Sequence, residues 1–175
     1  PMTTRTLAWL KSQLLPDKQA DLAVLWAALT LGFFFLLRAS EYLKPSHHTP
    51  KNRGLLGRHV TLCANGLPVT LDNFRSADEV RIEVPGSKTD IYNRGEYRNH
   101  FANFDISHGT RLCVVEALVI LCSHYPAKFF GSDVDSFLLT DSRGEQISRE
   151  EMQSVLKISA EKTGAKMGDY RSHSL

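Results

Sequence analysis

From Leu22 to Leu37 the chain runs sixteen residues without a charge, and this run restricts the fold more than any other feature. A helix needs about 20 apolar residues to cross a bilayer. The run falls short of that, contains Thr30 and Gly32, and is closely bounded by Asp21 and Arg38. Leu22, Leu25, Trp26, Leu29, Phe33, Leu36 and Leu37 recur at helical spacing, and Ala and Phe fill the remaining faces. A helix apolar all round belongs in the middle of a domain. The expected element is therefore a buried central helix that opens at Asp21 and persists to Tyr42 and Leu43, where Pro45 stops it. Arg38 then falls near its C-terminal end.

A chain of 175 residues is long enough to bury a core of its own, so one domain is expected. The net charge of +2 is too small to announce a nucleic-acid binder, and any such affinity has to come from local clusters. Cys63, Cys113 and Cys122 each sit among apolar neighbours without a Cys or His at zinc-ligand spacing. They read as reduced thiols used as small core residues in an intracellular protein. No secretory signal is read at the N-terminus.

Around the central helix the pattern is mixed. Thr3 or Thr4 caps a first helix with Leu7, Leu10 and Leu14 on its apolar face, ended by Pro16. Lys44 to His59 holds Pro45, Pro50, Gly54 and Gly57 with Lys44, Lys51, Arg53 and Arg58 and no acid, so it reads as a basic loop that includes His47 and His48. Strands are expected at His59 to Cys63, at Leu67 to Leu71 after an Asn65-Gly66 turn, and at Glu79 to Val84, where charged and apolar residues alternate. Pro85-Gly86 opens a turn before a returning strand from Tyr97 to Phe104. A helix follows from Thr110 to Ser123, and Phe137 to Thr140 reads as extended. Ser148 and Glu151 form a capping box for a last helix, which Lys162 and Gly164 close. The sum is an α+β, mainly α domain with a small antiparallel sheet inserted after the second helix.

Three side chains invite a chemical reading. Arg38, taken alone, is a cation near a helix C-terminus with Glu41 as its partner at i+3. A guanidinium anchored by so apolar a segment is also well placed to grip a phosphate through two parallel hydrogen bonds. Lys88 is by itself a solvated turn lysine, yet a hairpin lysine is able to reach into a site and protonate a leaving oxygen. The segment Pro85-Gly86-Ser87-Lys88-Thr89 is no phosphate-binding P-loop, because Ser87 stands where glycine is needed before the lysine. His173 by itself is an ordinary tail residue.

Together they form a pattern. Leu36-Leu37-Arg38-Ala39-Ser40-Glu41-Tyr42-Leu43, Ser87-Lys88-Thr89-Asp90 and Tyr170-Arg171-Ser172-His173-Ser174-Leu175 resemble, in order, the first arginine box, the hairpin lysine and the start of the His-x-x-Arg box of the tyrosine recombinases, the phage-integrase type. The resemblance spans nearly the whole chain, and around His173 it leans toward the recombinases of eukaryotic mobile elements. It implies a helical catalytic domain with a hairpin insertion. In that family a tyrosine hydroxyl attacks a DNA phosphodiester, leaving a 3′-phosphotyrosine and a free 5′-hydroxyl that a second strand can replace. The resemblance implies no metal and no cofactor. It gives Arg38 a place on the non-bridging oxygens, Lys88 the protonation of the departing 5′-oxygen, and His173 a hydrogen bond at the phosphate or the tyrosine.

The family's second arginine and its nucleophilic tyrosine are not among the matched residues, and Tyr170 precedes the histidine box. The chain is therefore expected to be a catalytic domain lacking its last part and the N-terminal clamping domain, and inactive in cleavage alone. Removal of the last helices is expected to bare apolar surface and promote self-association. The implied partners are double-stranded DNA and other protomers, with no membrane, in the nucleus of a eukaryotic host or the cytoplasm of a bacterial one. Lys44, Lys51, Arg53, Arg58 and Arg94 are the expected DNA-backbone contacts, with Arg98 beside them. Two other readings remain at this level: a non-catalytic DNA-binding module derived from a recombinase, and an unrelated helical enzyme or interaction domain in which Arg38, Lys88 and His173 never converge.

Overall fold

A computed structural model describes residues 2–44, 54–84 and 95–164. These residues form a mixed α+β fold of six helices, a four-stranded antiparallel sheet and a separate two-stranded hairpin. Helix α1 (Thr4–Leu14) starts at Thr3, whose hydroxyl accepts the Thr6 N–H, and ends in a left-handed Leu15. Helix α2 (Ala20–Phe34) is the central element, with Trp26, Ala27, Ala28, Leu29 and Leu31 fully buried. Its apolar faces are covered by α1 and by α4 (Val114–His124), as its composition demands. No helix among the described residues is long and apolar enough to cross a membrane.

The central helix is shorter than the sequence implies. It stops at Phe34, the backbone turns left-handed at Leu36 (φ +53°), and a separate short helix α3 (Ala39–Tyr42) follows. Gly32 is what lets the two segments close. Tyr42 is fully buried against it, and a Cβ there would run into the Tyr42 hydroxyl and lie 3.1 Å from Cζ.

The sheet runs β2 (Leu67–Pro68), β1 (Val60–Ala64), β3 (Glu79–Val84), β4 (Glu96–Phe101). Val60 and Leu62 pair with Ile82 and Val80, so four buried side chains line one face against α4. Asn65 and Gly66, both at positive φ, make the β1–β2 turn. Thr110 and Arg111 do not begin a helix. They form β6 (Thr110–Arg111), paired with β5 (Ile106–Ser107), and α4 starts only after Cys113 caps it, its Sγ accepting from the Glu116 N–H. Helix α5 (Ala127–Phe130) was not foreseen. Helix α6 (Arg149–Thr163) has the expected reciprocal Ser148–Glu151 cap and a left-handed Gly164 at its end. Cys63, Cys113 and Cys122 are buried free thiols.

Candidate functional site

The site begins with the bend between α2 and α3. Arg38 is the residue before α3, and not, as expected, near the end of a long helix. A cation gains nothing from a helix at that position, where dipole and capping chemistry both favour acceptors. Its backbone is held: the Arg38 N–H donates to Glu41 Oε2 at 2.9 Å, and the Glu41 N–H donates back to the Arg38 carbonyl at 2.8 Å. Leu37, Tyr42 and Leu43, on either side, are buried. The guanidinium by contrast is 62% exposed and meets the buried Glu41 carboxylate only loosely, at 3.7 Å. The main chain is fixed while the head group faces solvent.

Beside the bend stands the base of the β3–β4 hairpin. In the register Ile82 faces Arg98 and Val80 faces His100. Arg98 reaches from β4 to the end of α2, donating from Nη1 to the Phe35 carbonyl at 2.7 Å and from Nη2 to Glu96 Oε2 at 2.6 Å. The bond to Glu96 is the main cause of a raised Arg98 pKa, with Coulombic help from Glu96 and then Glu41, and it holds Glu96 below the usual carboxylate range. His100 sets its ring edge-on to Phe34 and Phe35, at centroid distances of 5.1 and 5.7 Å. Arg98 is thus engaged inside the molecule, each of its two Nη groups donating to an acceptor of the chain. The signal was present in the sequence: Glu96, Arg98 and His100 alternate with Tyr97, Asn99 and Phe101, so one face of this strand is wholly polar.

The remaining candidates divide. Lys88, Arg94, Lys51, Arg53 and His173 lie outside the described residues. Lys44 is described; its Nζ donates to exposed Glu145 at 3.1 Å and its N–H to the Ile147 carbonyl at 2.9 Å, tying the end of α3 to the segment before α6. Arg58 lies elsewhere. Residues 54–59 are ordered around a short 3₁₀ turn, and Arg58 pairs with Asp135 at the edge of a cavity of about 930 Å³ that Asp133 and Asp141 also line. The pair joins two exposed side chains, as the Lys44–Glu145 pair does.

That cavity also holds Lys128, which sequence reasoning passed over. The residue is 6% exposed, and its ammonium donates to the carbonyls of Phe137 and Leu138 at 3.1 and 3.0 Å and to the Thr140 hydroxyl. Burial lowers its pKa. With its protons committed to neighbouring oxygens, it serves as a clamp between α5 and residues 137–140. Among the described residues, no group of three or more His, Cys, Asp or Glu is arranged to hold a metal.

No family model, curated protein or solved structure matches this chain.

Proposed function

We propose that the chain is the DNA-gripping part of a tyrosine-recombinase-type catalytic domain, with Arg38 on a backbone phosphate. The observation that carries this reading is the contrast at Arg38, a solvent-facing guanidinium on a backbone pinned by Glu41 and buried neighbours. Preorganised cations of this kind stabilise charge on phosphate oxygens without reorganising. The resemblance in sequence adds Lys88 and His173 to the same pocket, and Arg98 brings the base of the strand pair that flanks Lys88 beside the bend. Lys44, Lys51, Arg53, Arg58 and Arg94 supply further backbone contacts, which fix register and carry no sequence information.

In this reading a tyrosine hydroxyl passes its proton to His173 as its oxygen bonds to phosphorus; the phosphorus–O5′ bond breaks, and Lys88 gives the departing oxygen its proton. Duplex binding is the activity that the matched residues support directly. Further copies of the chain are the second proposed partner.

The test is fluorescence anisotropy with a random-sequence duplex between about 50 and 200 mM salt. Binding should weaken steeply with salt, and Arg38→Gln should reduce the slope by about 0.9, the share of one phosphate. A chain that binds no duplex at the lowest salt, or an Arg38→Gln variant with an unaltered slope, overturns the reading.

A further inference from the structure

Phe35 closes α2, and its carbonyl is one of those a helix end leaves without a partner in the helix. Arg98 supplies that partner from a different element, 63 residues along the chain. Immediately after Phe35 the chain reverses through the left-handed Leu36 and reaches Arg38. The second arm of the same guanidinium holds Glu96 at the start of β4, while His100 packs on Phe34 and Phe35. A planar fork can hold two acceptors at once in a fixed geometry, which a lysine ammonium on a flexible stem cannot reproduce.

We propose that Arg98 is a positioning residue: it locks the α2–α3 bend to strand β4, and so holds Arg38 in a fixed relation to the sheet. Arg98 touches no phosphate in this scheme; its effect on DNA passes through Arg38. The inference deepens the reading above and depends on it for the phosphate, but the locking of the bend stands independently.

Two readouts separate these parts. The first is amide exchange by NMR in Arg98→Gln, Arg98→Lys and Glu96→Gln. Arg98→Gln should speed exchange at the Glu41 and Leu43 amides by about tenfold, the order expected for loss of one charge-assisted hydrogen bond. The Ala117 and Tyr125 amides of α4 should keep their protection. Arg98→Lys should recover part of the effect, and Glu96→Gln should show a weaker version of it. If Arg98→Gln loosens α4 as well, the two milder variants decide. Unchanged exchange at Glu41 and Leu43 in all three overturns the proposal.

The second readout is the salt slope of duplex binding in a double-mutant cycle. Arg98→Gln should weaken binding when Arg38 is present and add nothing in an Arg38→Gln background. Additive losses make Arg98 an independent phosphate contact and also overturn the proposal. Accelerated exchange in a chain that binds no DNA keeps Arg98 as the lock and removes the phosphate reading alone.

Discussion

Leu36 is 81% exposed and left-handed, a conformation that costs a non-glycine residue about 1–2 kcal/mol. Glycine removes that cost but adds roughly 0.5–1 kcal/mol of unfolded-state entropy. Leu36→Gly should therefore leave the urea midpoint unchanged or slightly raised; a clear drop would mean that the leucine side chain itself holds the bend. Gly32 sets the opposite condition. Alanine in a helix interior normally gains about 1 kcal/mol over glycine, but here its methyl meets the Tyr42 hydroxyl. Overpacking costs typically about 1–3 kcal/mol, so Gly32→Ala should melt lower than the parent. Tyr42→Phe should restore part of the loss, since it removes the oxygen that the methyl meets. That hydroxyl is buried without a hydrogen-bond partner among the described residues, so Tyr42→Phe alone should cost little.

Among the elements, β3 carries a pH dependence through a buried carboxylate. Buried Glu79 accepts from Arg81 Nε and Nη2, both at 2.9 Å, and from Asn99 at 3.1 Å, and these bonds hold its carboxyl below the ordinary range. A depressed folded-state pKa gives stability that is complete above the unfolded value, about 4.3, and lost as pH falls through the folded one. The urea midpoint should decline between about pH 5 and 3. In Glu79→Gln that decline should be shallower; an identical decline would assign it to other carboxylates. At α6, Ser148→Ala should cost about 1 kcal/mol by thermal or urea unfolding, because the cap to Glu151 is lost. The sequence made that cap, the first helix, β3 and the burial of the central run legible, since local chemistry decides each of them. It hid the break after Phe34. No Gly or Pro stands at the bend, and the groups that meet it, Arg98 and His100, lie far along the chain. For the same reason Arg58 reads as a free basic residue: its acidic partner Asp135, 77 residues away, is identified only by loop packing. Arg38 was legible as a residue but not in its placement.

At the scale of the molecule, a buried helical spine carries a sheet whose edge strand meets the candidate site. The surface also exposes large apolar side chains, among them Tyr97, Phe101, Phe104 and Ile106. Exposed apolar surface of this kind favours contact between copies. Light scattering should show an apparent mass that rises with concentration, and Phe104→Ser with Ile106→Ser should reduce the rise. A concentration-independent monomer would remove the chain itself from the proposed partners. Lys128 offers a way to follow the whole fold at once. Amine-acylating reagents need a free, uncharged nitrogen lone pair and room to approach; its nitrogen is enclosed and held by the oxygens of Phe137, Leu138 and Thr140. Its labelling should lag far behind that of surface lysines and keep pace with the opening of α5, making one side chain a chemical clock for local unfolding.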